Sequence, residues 1–241
     1  MVTTSSTSAN IGVAQAILGE SFITPEETGS CLREKLPHDS LRHFNRVPFS
    51  EKTLEDLAAT HILVPDLGVS IDEFRRLLQG NFLQMSREQE GRGQTPRKLL
   101  RFPTQDWYAG LPFAEYPYQM GAARRRWQLI SKEPLNDSFG LSLNDQLKLI
   151  EPDGVHGKAL DRVVTAQELV YTIIVVILTR GECIYQGAIG RCLDPVTERR
   201  RAAVGCSRCQ DQGGRIIISC LTEEHKHPRL GLATARVPNR P

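Results

Sequence analysis

One stretch constrains this chain more than any other. Thr165-Ala166-Gln167-Glu168 has the pattern of a capping box, Leu169 to Leu178 follows as an almost unbroken apolar run, and Gly181 stands where a helix would stop. A segment apolar on every side must be wrapped by the rest of the protein. It is about half the ~20 residues a membrane span needs, and Arg162, Glu168, Arg180 and Glu182 close in on it. Its β-branched residues would also suit a strand. The cap and the glycine decide for a buried helix.

The elements around it predict an α+β fold. Met1 to Asn10 reads as a disordered tail, and residues 11–85 as a helical region. Helix starts are expected at Thr24-Pro25-Glu26-Glu27, at Ser50 and at Ser70-Ile71-Asp72-Glu73. Residues 86–101, with Gly91, Gly93 and Pro96, read as a linker. Residues 102–241 read as an α+β domain: a strand opening with Arg124-Arg125-Arg126-Trp127-Gln128-Leu129-Ile130, a short helix over 142–150, the buried helix, then an antiparallel β-meander. Strands are expected near 182–192, 202–209, 215–221 and 231–236, with Asp211-Gln212-Gly213-Gly214 as a hairpin turn.

Charge excludes a polyelectrolyte. The 241 residues carry a net charge of +2 and are 40% hydrophobic, which is globular composition. The N-terminus has neither a basic region nor an apolar core of the secretory kind, so a soluble cytoplasmic protein with free thiols is expected. No cofactor motif occurs: phosphate-binding glycine loops, G-x-S-x-G and H-E-x-x-H are all lacking from the sequence.

Five of the six cysteines fall between Cys183 and Cys220. Cys206 and Cys209 have the spacing of a zinc knuckle, yet a strand would point them to opposite faces. They stand as weak metal candidates only, and no metal is expected. A Cys206–Cys220 disulfide across the hairpin is a further option that a reducing compartment disfavours. His225 and His227 belong to a charged loop. His38, His43, His61 and His156 are isolated, each read as a surface or satisfied core residue.

The strongest binding signal lies in residues 102–127, which hold seven of the 15 aromatics together with Pro103, Pro112 and Pro117. Trp107, Tyr108, Tyr116 and Tyr118 precede Arg124, Arg125 and Arg126. Residues 81–126 carry eight basic against four acidic side chains, whereas residues 1–80 carry seven against 11. Aromatic faces beside arginines suit a ligand with rings, phosphates or carboxylates. These seven residues are therefore the candidate ligand-binding set, the rival being that the tryptophans plug the core.

The segments ILGESFITPEE (around residues 18–27), WYAG (107–110), WQLISKEPLNDS (127–138), VYTII (170–174), Arg180-Gly181-Glu182 and LGLATAR (230–236) resemble a family of uncharacterised bacterial proteins with the same order of blocks. The resemblance spans residues 18 to 236. It implies one intact unit and a bacterial cytoplasm, and it carries no assigned activity, cofactor or catalytic residue. The expected function is a binding or interaction module using the aromatic-basic loop, with no partner identified. The alternatives are a hydrolase or transferase with an unrecognised site, and a single-stranded nucleic-acid binder, the last possible but not favoured.

Overall fold

The computed structural model describes residues 8–32, 41–69, 100–101, 125–151, 161–209 and 213–238. Its elements run β1 (Ala9–Asn10), α1 (Ile11–Leu18), α2 (Pro25–Leu32), β2 (Arg46–Val47), α3 (Glu51–Leu57), β3 (His61–Asp66), β4 (Leu100–Arg101), β5 (Arg126–Ser131), α4 (Leu143–Lys148), β6 (Asp161–Val163) and α5 (Ala166–Arg180). Strands β7 (Ile189–Thr197), β8 (Arg200–Cys209), β9 (Gly213–Thr222), β10 (Leu230–Leu232) and β11 (Thr234–Arg236) complete them. The architecture is α+β.

Helix α5 forms as its sequence dictates. The Thr165 hydroxyl accepts from the Glu168 N–H, and the Glu168 carboxylate accepts from the Thr165 N–H. Gly181 ends the helix at φ 67° and donates to the Ile177 carbonyl. Residues Leu169 to Ile177 are all buried. The helix touches α2, strand β3 of one sheet, and β7 and β8 of the other. It is the shared core of both sheets.

The first sheet has the order β10-β7-β8-β9-β4 and the second β3-β5-β11-β6. Strands β7, β8 and β9 form the expected antiparallel meander, but β10 joins β7 and β4 joins β9 in parallel, so the sheet is mixed. The first of these strands begins at Ile189, later than the sequence suggested, because residues 183–187 form a separate bonded segment between helix and sheet. The Asp211-Gln212 turn lies outside the described residues, as does the helix expected from Ser70; Cys209 and Gly213 pair on either side of the former.

His61–Asp66, in the stretch read as helical, is a strand paired along its whole length with β5. The reason is tertiary. His-Ile-Leu-Val gains a full ladder from a strand some 65 residues later, and Pro65 is tolerated because β3 is an edge strand. Leu100–Arg101, assigned to the linker, also forms a strand.

The Thr24–Glu27 helix start and Arg180 meet at the far end of α5. The Arg180 guanidinium donates to both oxygens of the Glu27 carboxylate and to the carbonyls of Phe22 and Glu20. Glu27 in turn closes a capping box with Thr24. That hydrogen bonding, led by Arg180, holds the Glu27 carboxyl below its usual range. The motif is a clamp within the fold.

Candidate functional site

The aromatic-basic set falls largely outside view. Trp107, Tyr108, Tyr116, Tyr118 and Arg124 lie outside the described residues. Arg125 is exposed and its Nε donates to the Leu67 carbonyl at 3.4 Å. Arg126 is engaged with Glu168. Trp127 is a core plug: it is 3% exposed, packs on Phe22 and Phe44, and donates its indole N–H to the Phe44 carbonyl.

The expectation of free thiols is corrected at Cys206, one of the two weak metal candidates. The Cys206 sulfur is bonded to Cys183, so neither the expectation of free thiols throughout nor a Cys206–Cys220 bridge holds. Cys206 is thereby spent as a metal ligand, and Cys209 lies three residues along the same strand. Among the described residues no group of three or more His, Cys, Asp or Glu side chains is placed to hold a metal ion, and no helix is long and apolar enough to cross a membrane. His225 and His227 sit in an exposed loop, tied down by buried Arg191, which donates to the Thr222 and His225 carbonyls and to Gln146.

What the fold does assemble is a polar row at one end of the second sheet. Antiparallel register puts His61 of β3 opposite Ser131 of β5. The Ser131 hydroxyl donates to the Thr234 carbonyl of β11, 3.1 Å away, and accepts from the Thr234 hydroxyl. Cross-strand partners share a face, so strand period alone aligns the three. Beyond Ser131 the chain turns through Lys132-Glu133-Pro134-Leu135-Asn136, pinned by Lys132 N–H to the Thr60 carbonyl and Leu135 N–H to the Leu232 carbonyl. Row and turn enclose a cleft of about 420 Å³ with Ala59, Thr60 and Asp161 on its walls.

His61 is the unusual member. It is 8% exposed and lines the cleft, its Nδ1 lies 2.9 Å from the Thr60 hydroxyl, and its Nε2 is buried with no hydrogen-bond partner. Burial, then the charges of Arg236 and Lys132, push its pKa down to about 4. The ring is neutral near pH 7. A buried polar atom without a partner costs roughly 1–3 kcal/mol, and native folds keep few of them. Behind the row, Tyr185 donates its backbone N–H to the Lys132 carbonyl and places its hydroxyl 3.1 Å from Ser131. It holds this position at φ 58°, on the segment that Cys183–Cys206 joins to β8.

A second ionisable group, Asp66 at the other end of β3, shifts the opposite way. Burial pushes its carboxyl up to about 6 despite hydrogen bonds from Gly68 and Gln128 and the charge of Arg126, with Glu168 adding to the rise. A raised carboxyl contributes stability that is present below its unfolded value of 3.8 and lost as pH rises through about 6. A lowered histidine contributes stability that is present above 6.5 and lost as pH falls toward about 4. The two therefore oppose each other over that interval. Urea midpoints followed from pH 7 to pH 4 should show Asp66→Asn losing more stability than wild type on acidification and His61→Gln losing less. Parallel profiles for all three proteins would contradict these assignments.

No protein-family model, curated protein or solved structure matches this chain.

Proposed function

We propose that this protein is a small-molecule binding protein whose site is the cleft at the end of the second sheet. The observation that carries the reading is His61: a neutral, nearly buried imidazole with an unpartnered Nε2, on a residue that lines a cleft large enough for a small metabolite. The surrounding groups are of the kind that orient a ligand. Thr60, Lys132 and Asn136 offer donors, Asp161 and Glu133 acceptors, and Ala59, Pro134 and Leu135 apolar wall. Ser131 is less suited to attack a substrate, since its hydroxyl is already engaged by Thr234 and Tyr185. Binding fits this arrangement better than covalent catalysis does.

A fragment screen followed by backbone amide NMR tests the reading. Hits are expected to shift Thr60, His61, Lys132 and Asn136 together and to lose affinity in Asn136→Ala. Hits that scatter over the surface and leave these four amides unmoved would contradict it. The aromatic-basic loop remains a second proposal, supported by the exposure of Arg125 beside the Leu67 carbonyl. Weaker retention of Arg125→Ala on heparin at low salt, converging with wild type as salt rises, would favour it.

A further inference from the structure

We propose that the ligand of the His61 cleft is a small monocarboxylic acid, bound as its carboxylate beside Lys132 with its apolar portion against Ala59, Pro134 and Leu135. This rests on the reading of the cleft as a binding site and gives that site a chemical class.

The sign of the charge follows from depth and pairing. Lys132 is half-buried in the cleft and has no ion-pair or hydrogen-bond partner for its ammonium among the described residues, while its neighbour Glu133 is exposed. The other acidic wall group, Asp161, lies 3.2 Å from the Arg236 guanidinium, which compensates its charge. Among the described residues of the cleft, Lys132 is then the inner charge with no counterpart. His61 reports the same field: the charges acting on it are those of Arg236 and Lys132, both positive. A single uncompensated ammonium matches a monoanion better than a phosphate dianion, for which a second cation or a bidentate arginine would be expected.

His61 can adapt to such a ligand. The Thr60 hydroxyl can donate to Nδ1 or accept from it, and the Leu57 carbonyl at 3.4 Å takes its proton in the second case. Either neutral tautomer is therefore supported, including the one that carries a hydrogen on Nε2. An anion nearby also stabilises the imidazolium, which Lys132 and Arg236 disfavour in the free protein. Carboxylate binding should thus draw in a proton and tighten as pH falls from 7 toward 5. Among the described residues, Arg236 and Lys132 are the charges that act on the ring, and Glu133 and Asp161 line the same cleft; the ligand is the charge that binding adds. The rest of the cleft agrees with a short aliphatic tail, because Pro134 is buried and Leu135 half-buried along its wall.

The test uses the whole wild-type protein and three probes: hexanoate, its neutral isostere hexanamide, and inorganic phosphate. Binding is read by amide shifts at Thr60, Lys132 and Asn136 and by the imidazole nitrogens of His61. Hexanoate is expected to bind about tenfold or more tightly than hexanamide, the difference a charge-assisted hydrogen bond makes, and Lys132→Met should remove most of that preference. Affinity reckoned per hexanoate anion should rise on acidification in wild type and stay level in His61→Gln. Equal binding of hexanoate and hexanamide, or tighter binding of phosphate, would overturn the carboxylate assignment while leaving the cleft as a binding site. Should other fragments move the cleft amides and hexanoate not, the class alone fails. Should no compound move them, the class and the site fail together.

Discussion

Ile174→Asp is expected to abolish soluble folding. Ile174 is fully buried on α5, in the part of the helix surrounded by α2, β3, β7 and β8. The helix offers its side chain no cation there: Leu169 to Ile177 contributes only Tyr171 and Thr172 as polar groups, and both are engaged, with the Pro65 and Glu168 carbonyls respectively. A carboxylate at this depth must stay charged in an apolar shell or take up a proton and still lack partners. Several kcal/mol are lost either way, against a total stability of about 5–15 kcal/mol for a domain. The lost isoleucine packing adds to this. The measurement is the soluble fraction on expression and the thermal midpoint of whatever is recovered. A midpoint within a few degrees of wild type would mean that α5 is not the shared core.

Glu168→Ala should cost about 3 kcal/mol, in the range of a broken buried ion pair. The carboxylate is 5% exposed and does three things at once. It accepts both Arg162 nitrogens at 2.7 Å, pairs with Arg126, and accepts the Thr165 N–H to close the capping box. Burial acts to raise its pKa, but the hydrogen bonds and charge of Arg162, helped by the Thr165 N–H and by Arg126, hold it below the usual value. A group with a lowered folded pKa stabilises above its unfolded value and loses that contribution as pH falls through the folded one. Glu168→Gln keeps the shape and one acceptor, so it should fall between wild type and alanine. Equilibrium urea unfolding at pH 7 checks both. A loss under 1 kcal/mol for Glu168→Ala would show the two arginines to be adequately solvated without it.

The parts of this fold that were legible in the sequence are those specified by local chemistry. Thr165, Glu168 and Gly181 delimit α5 because capping and left-handed stops are short-range signals. Ser50 and Ser142 begin helices for the same reason. Strand β3 was not legible, since its partner β5 lies far along the chain and only pairing distinguishes His61–Asp66 from a helix end. The parallel edges β10 and β4 escaped on the same ground. Trp127 could be read as a ligand-stacking residue or a core plug, and composition alone cannot distinguish the two; its contacts with Phe22 and Phe44 do.

The candidate site was the least legible feature. An isolated histidine carries no motif, and the relation of His61 to Ser131, Thr234 and Lys132 exists only once three strands are in register. A faint signal was present. His61 opens a run of apolar residues directly after Thr60, where a polar ring must either find a partner or serve one. The disulfide was likewise hidden, because Cys183 and Cys206 are 23 positions apart and are joined through a segment with no regular pattern.

Imidazole nitrogen NMR of His61, alone and with a saturating bound fragment, separates a ligand-binding cleft from an ordinary polar recess. The ring should be neutral at pH 7, titrate far below an ordinary histidine, and change its Nε2 resonance when the fragment binds. A His61 that titrates near 6.5, or whose nitrogens do not respond while a fragment occupies the protein, would contradict the binding-cleft reading.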